Sequence, residues 1–116
     1  MDKKEFKDYI VHDVLAGIQG VHTKGLFGGY GFYLEEVIFG AYMDDDSGLD
    51  GFFLKARDEF ARELEQSGAK QFIYTGHKTR GPTAMPYWHI PEELLEDREK
   101  ITDWVYQAWE LSKKEK

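Results

Sequence analysis

A short run of glycines and aromatic residues constrains the fold of this chain more than any other stretch does. Residues 24–33 read Lys-Gly-Leu-Phe-Gly-Gly-Tyr-Gly-Phe-Tyr, so four glycines stand among five apolar or aromatic side chains. Aromatic residues favour a pleated, half-buried strand, and glycine permits positive φ angles and close approach of another backbone. We therefore predict a single kinked first strand over residues 24–34, bulged at Gly28 and Gly29.

Hydrophobic periodicity in the rest of the chain predicts three helices and four further strands. The expected helices cover residues 3–16, residues 58–67, and a final segment that begins near Arg98 with Asp97 as its cap. Pro91 suits the first turn of a helix, and Pro86 places the last strand at an edge or marks a bulge. The expected strands after the first cover residues 37–43, 51–56, 71–75 and 83–89, with a hairpin turn at Glu35 and Glu36.

This element order indicates the fold class. Strands that follow one another over short turns form an antiparallel meander, and the helices must then cover one face of it. We therefore predict a two-layer α+β fold in the order α-β3-α-β2-α, with a five-stranded antiparallel sheet and helices on one face. A length of 116 residues is typical of one domain, so we expect residues 1–116 to form a single domain.

The composition excludes several classes of function. The chain contains no cysteine, which rules out disulfides, thiolate catalysis and cysteine-ligated metals. Its formal net charge of -7 opposes binding to phosphate backbones, so we do not expect direct binding of nucleic acid. We find neither a signal peptide nor an apolar run long enough to cross a membrane, and we expect a cytoplasmic protein.

Two motifs suggest ligand sites, and both fail on spacing. The glycines at positions 28, 29 and 31 are not followed by the Gly-Lys-Ser/Thr of a phosphate loop. A calcium-binding loop needs glycine at its sixth position and glutamate at its twelfth, whereas the acidic loop over residues 44–50 has Leu49 and Lys55 when counted from Asp44, and Gly51 but Arg57 when counted from Asp46. We identify no catalytic constellation and assign no catalytic, cofactor-binding or metal-binding residue, so we expect a protein without enzymatic activity.

Two separated motifs together resemble the N-terminal domain of the TfoX/Sxy family. The first is Leu-Phe-Gly-Gly-Tyr-Gly-Phe-Tyr at residues 26–33, and the second is Met-Pro-Tyr-Trp-His-Ile-Pro-Glu-Glu-Leu-Leu-Glu-Asp at residues 85–97. Residues 52–55 and Trp104 extend the resemblance over essentially the whole chain. The signature positions are Phe27, Gly28, Gly29, Tyr30, Gly31, Trp88 and Pro91.

This resemblance implies a two-layer fold of the secretion-chaperone-like kind. It also implies a regulatory setting, since the founding members of the family are bacterial regulators of competence for DNA uptake that are thought to act with other transcription factors. Those members carry a second, helical domain that these 116 residues do not include, so we expect a single-domain member. The expected function is that of a regulatory or adaptor domain acting through protein contacts. The alternative is a small-molecule-binding domain, or an unrecognised enzyme, with its site on the sheet face.

Residues 66–91 contain no Asp or Glu in an otherwise acidic chain. Basic and aromatic side chains alternate there, and positive charge that is not compensated locally attracts an acidic surface. Tyr and Trp are enriched among residues that dominate binding energy. We therefore predict a contact surface for an acidic protein partner or for a second copy of the chain, formed by Lys70, Lys78, Arg80, Tyr87 and Trp88.

Overall fold

The computed structural model describes residues 2–26, 28–44, 50–74 and 83–115. Several positions considered above lie outside these ranges. They are Phe27 of the signature, Lys78 and Arg80 of the predicted contact surface, and residues 45–49 of the acidic loop.

Three α-helices form where the apolar periodicity predicts them. They are α1 (Lys3–Tyr9), which continues into a π-helical segment (Ile10–Val14), α2 (Asp58–Gln66) and α3 (Arg98–Lys114), and a 3₁₀ helix (Glu92–Glu96) precedes α3. The Asp97 side chain accepts a hydrogen bond of 3.1 Å from the backbone N–H of Lys100, which confirms the predicted cap of α3. Within the described residues, no helix is both long enough and apolar enough to cross a membrane.

Six strands form one antiparallel sheet in the described part of the chain. They are β1 (His22–Leu26), β2 (Gly29–Leu34), β3 (Val37–Asp44), β4 (Asp50–Lys55), β5 (Lys70–Tyr74) and β6 (Thr83–His89). Their spatial order is β1-β2-β3-β4-β6-β5. The α+β class and the antiparallel sheet are confirmed, while the predicted count of five strands is wrong.

The sixth strand comes from the glycine-rich stretch. Residues 24–34 do not form one bulged strand, because β1 ends at Leu26, β2 begins at Gly29, and these two residues pair in an antiparallel ladder. Gly28 has a φ of 79°, the conformation that a tight reversal between two strands requires. The glycines therefore reverse the chain, and the register irregularity of this region lies further on, between Phe32 and Tyr33.

The second hairpin turn is confirmed at Glu35 and Glu36. Both residues have positive φ angles, 51° and 67°, and the flanking Leu34 and Val37 pair with each other. Positive φ at both central residues is typical of a type I′ turn, which usually carries Asn or Gly. Two glutamates therefore adopt a backbone conformation that their own propensity disfavours.

Pro86 lies in an interior strand, between β4 and β5, rather than at an edge. The pairing of β5 with β6 shifts register here, since Gln71 pairs with Trp88 but Ile73 pairs with Ala84. The extra residues of β6 bulge around Pro86, which has no backbone N–H to donate. Of the two predicted explanations for this proline, the bulge is correct and the edge is not.

The π-helical segment after α1, together with α2 and α3, contributes buried side chains to one large apolar core on a single face of the sheet. The core combines helical residues such as Ile10, Leu64 and Trp104 with strand residues such as Phe52 and Leu54. We call this side of the sheet the covered face. A second, smaller cluster contains strand residues alone, namely buried Ala41, Met43 and Phe53 with half-buried Leu26, Phe72 and Tyr87. These side chains alternate with those of the covered face and define the opposite side, which we call the open face.

Candidate functional site

A single cross-strand row runs along the open face through all six strands. The register pairs each residue with the next in the order Lys24, Gly31, Ala41, Phe53, His89 and Lys70. Small residues occupy the middle of the row on β2 and β3, and a lysine stands at each edge of the sheet. The row therefore has one lysine at each end and an apolar centre between them.

An aromatic side chain fills the space above Gly31. A Cβ atom built on Gly31 would lie 2.8 Å from Cε1 of Tyr33, so the absence of a side chain there leaves room for the ring. The ring stacks against His22 at 5.7 Å between centroids, and Lys24 Nζ lies 4.9 Å from its centroid. Lys24 Nζ donates a hydrogen bond of 3.2 Å to Glu36, and the same carboxylate lies 3.4 Å from His22 Nε2 without forming a hydrogen bond to it. Tyr33 is thus fixed on the open face by two basic side chains.

A second aromatic group covers the other end of the open face. Phe53 is fully buried, although no helical residue belongs to its cluster. Phe72 reaches it across the intervening strand β6, at 5.6 Å between ring centroids, and His89 packs edge-on against it at 5.3 Å. Burial raises the pKa of the neighbouring Tyr87 phenol above its usual value, with smaller contributions from Tyr33 and Glu115.

One ionic cluster joins the open face to the end of α3. Glu115 accepts from Lys55 Nζ at 2.6 Å and also from Arg57. The hydrogen bond from Lys55 is the main reason that the pKa of Glu115 lies below its ordinary value, and Arg57 adds to the effect. Lys55 therefore reaches the surface as part of an ion pair.

The residues predicted to form a contact surface fall on different sides of the sheet. Lys70 and Tyr87 both belong to the open face, where they pair with His89 and Lys55 respectively. Trp88 follows Tyr87 directly and therefore points to the covered face, where it is 8 % exposed within the main core. Trp88 is therefore placed to stabilise the core rather than to meet a partner.

The signature residues have visible structural roles. Gly29 lies so close to β3 that a Cβ atom there would be 2.1 Å from the Tyr42 carbonyl oxygen. Tyr30 packs against the main core beneath Lys7, whose Nζ is 5.3 Å from the ring centroid. Pro91 is the residue before the 3₁₀ helix, so the helix that the sequence predicts at this proline is present in a tighter form.

A cavity of about 300 Å³ lies on the other side of the sheet, between the start of α2 and strands β5 and β6. Its lining residues are Ala56, Arg57, Asp58, Ala61, Gln71, Ala84, Pro86 and Trp88. The indole N–H of Trp88 is buried and has no hydrogen-bond partner in the described structure. The described residues contain no group of three His, Asp or Glu side chains placed to hold a metal ion.

Sequence reasoning missed the part of the open face that lies on β1, β2 and β4. Lys24, Tyr33 and Lys55 on these strands are outside the acid-free segment, so the search for locally uncompensated charge did not find them. The available signal was the two-residue alternation of each strand, which separates Lys24 and Leu26 from Thr23 and Gly25. That signal becomes informative only when the strand order is known.

Comparison with known families places most of the chain in one family. The sequence profile described as the TfoX N-terminal domain matches residues 13–112, which is most of the chain. A search among curated proteins finds no significant match. The matched range runs from the π-helical segment after α1 to the last turns of α3 and includes every strand of the sheet. The chain therefore belongs to the TfoX N-terminal domain family.

Proposed function

We propose that this chain is a non-enzymatic regulatory or adaptor domain that acts through protein–protein contacts made by its open face. Membership of the TfoX N-terminal domain family supports a regulatory role. The observation that carries the proposal is the open face itself, because within the described residues the apolar cluster on this side of the sheet consists of strand residues alone. Such a surface suits a macromolecular partner better than a small ligand, because it is broad rather than enclosed.

The chemistry of the open face also suits protein recognition. Tyr33, Phe72 and Tyr87 are half-buried, so each retains apolar surface that a partner can cover. Aromatic side chains anchor interfaces because they bury much apolar area at a small cost in side-chain entropy. Tyr33 is already held by its basic neighbours, which lowers the cost of ordering it on binding.

Small-molecule binding is the second candidate, and it is favoured by the buried, unpartnered N–H of Trp88 beside the cavity at α2. Filling this cavity with Ala61→Phe tests it, because the larger side chain would occupy space that a ligand needs. Loss of a regulatory phenotype in this variant, with the open face intact, would favour the small-molecule candidate over protein contacts.

Site-specific photo-crosslinking in the protein's own cells tests the proposal directly. A benzophenone amino acid replaces Phe72 or Tyr87 on the open face, and in a matched control it replaces Tyr106. Tyr106 is an apt control because it is 42 % exposed on α3, on the helical side of the molecule. We expect discrete protein adducts from the two open-face positions and none of those adducts from the control.

Two results would contradict the proposal. The first is the absence of protein adducts at both open-face positions in cells where the folded protein accumulates. The second is the same set of adducts from Tyr106 as from the open face, which would mean that collisions rather than a defined surface produce them.

A further inference from the structure

We infer that the partner segment that docks on the open face is an extended, acidic stretch of polypeptide with apolar residues between its carboxylates. This inference rests on the proposed function, since it assumes that the open face is a contact surface. It adds the chemical character of the partner segment. That character is indicated by the different charges on the two sides of the molecule.

Charge is distributed unevenly between the open face and the helical layer. In the register of the described strands, no Asp or Glu occupies an open-face position, whereas Lys24, Lys55 and Lys70 do. The helical layer instead carries many exposed carboxylates, among them Glu59, Glu65, Glu93, Glu99, Asp103 and Glu110. The chain as a whole has a net charge of -7, so the strand positions of the open face carry the opposite sign, although Glu36 and Glu115 reach Lys24 and Lys55 from outside the strands.

Not every open-face lysine is equally available to a partner. Glu115 already binds Lys55, whose side chain is only 15 % exposed. Lys24 shares Glu36 with His22 but is 53 % exposed. Lys70 is exposed and makes no ion pair within the described residues. The two cations available to a partner are therefore Lys24 and Lys70, at opposite ends of the central row.

A second copy of the chain does not fit this surface. Two open faces related by a two-fold axis would bring lysines against lysines, which is unfavourable. An open face docked on the helical layer of another copy would satisfy the charges, but such a head-to-tail contact continues into an open chain of molecules. The charge pattern therefore favours a different, acidic protein.

Nucleic acid fits less well than an acidic polypeptide. Affinity for phosphate backbones grows with the number of lysines and arginines that release counterions. The open face offers two available lysines, and the surrounding carboxylates repel a long polyanion. A short acidic segment avoids that repulsion because its charges end where the face ends.

The dimensions of the central row define the length of the segment. Five inter-strand spacings separate Lys24 from Lys70, which corresponds to at most about 24 Å. An extended chain crosses that distance in about seven residues. Its inner side chains would lie over half-buried Tyr33 and Tyr87, whose strands are between those of the two lysines, and beside Phe72 on β5.

The test uses a nine-residue peptide with two glutamates at each end and apolar residues between them. The control peptide has the same apolar residues and two lysines at each end. Titration of the isotope-labelled full chain, followed by NMR, should shift the amide signals of β1, β2, β5 and β6 with the glutamate peptide and leave those of the helices unchanged. The lysine peptide should produce no such shifts.

Charge-reversal variants test whether Lys24 and Lys70 bind the glutamate peptide. Lys24→Glu with Lys70→Glu should weaken binding of the glutamate peptide about tenfold or more and should create binding of the lysine peptide. Lys4→Glu with Lys114→Glu is the matched control, because it changes the net charge equally at exposed positions of α1 and α3. This control should leave the open-face titration as it is in the unmodified chain.

Three outcomes would overturn the inference. They are equal binding of both peptides, glutamate-peptide shifts located on the helices, and tighter open-face binding of a single-stranded oligonucleotide than of the glutamate peptide. If the crosslinking experiment nevertheless traps a protein at Phe72 or Tyr87, the proposed function stands and only the acidic character of the partner is rejected. If crosslinking fails as well, both are rejected.

Discussion

The two faces of one sheet are packed differently in this protein, and neighbouring residues show the difference. Phe52 points into the helix-covered core and Phe53 to the open face, and Trp88 and Tyr87 are divided in the same way. On the covered face large side chains from helices and strands interlock and are almost completely buried. On the open face three buried residues are surrounded by half-buried aromatic and basic ones. One face thus supplies most of the apolar burial, and the less completely buried face is the one that we propose as a contact surface.

Truncation of the two adjacent phenylalanines should produce the largest effect and separates the faces most clearly. Phe52→Ala should lower the free energy of unfolding by about 3–5 kcal/mol, because helices and strands around it cannot close the cavity. Phe53→Ala should cost less, about 2–3 kcal/mol, since half-buried Phe72 and Tyr87 can move into the space. Urea denaturation of both variants measures the difference, and equal losses would show that the open face is packed as rigidly as the core.

Substitution of two glycines in β2 sharpens the description of the open face. Gly29→Val should destabilise the protein by about 1–3 kcal/mol, since its Cβ would collide with the backbone oxygen of Tyr42. Gly31→Ala should cost less than about 1 kcal/mol, because the obstacle is the far end of the Tyr33 side chain, which can shift slightly while it keeps its contacts with His22 and Lys24. Thermal melts provide the comparison, and an unchanged midpoint for Gly29→Val would mean that the strands can separate without cost.

The smallest expected effect concerns the ion pairs that join the two layers. Glu115 has a lowered pKa in the folded protein, mainly because Lys55 donates a hydrogen bond to it. A lowered folded-state pKa stabilises the protein above the ordinary value of 4.5, and this contribution is lost as the pH falls through the lowered value. Glu115→Gln should therefore make stability less dependent on pH below 4.5. A variant with the same acid dependence as the unmodified chain would show that this cluster contributes nothing to folding.

Much of the secondary structure could be predicted because its causes are local. The apolar stripe of α3, with Ile101, Trp104 and Val105 buried, follows directly from residue spacing. The cap at Asp97 depends only on residues three positions apart. The hairpin at Glu35 and Glu36 was recognised because two strand patterns meet there, although its turn residues are unusual.

The errors arise where a local pattern permits two structures. Glycine at positions 28 and 29 is compatible with a bulge and with a chain reversal, and the pairing of Leu26 with Gly29 decides for the reversal. In the same way Pro86 is compatible with an edge and with a bulge, and the position of β6 between β4 and β5 decides for the bulge. In both cases the deciding interactions come from residues on another strand.

The candidate site, like the fold, could be predicted from the sequence only in part. By itself the sequence determined which side chains alternate along each strand, and the acid-free segment predicted a contact role for Lys70 and Tyr87, which both lie on the open face. Only the tertiary structure decided which of the alternating sets the helices cover, and therefore that Trp88 is in the core while Lys24 and Tyr33 join the site. Alternation is a property of the backbone of each strand. The covered side depends on the packing of distant helices, which no short stretch of sequence specifies.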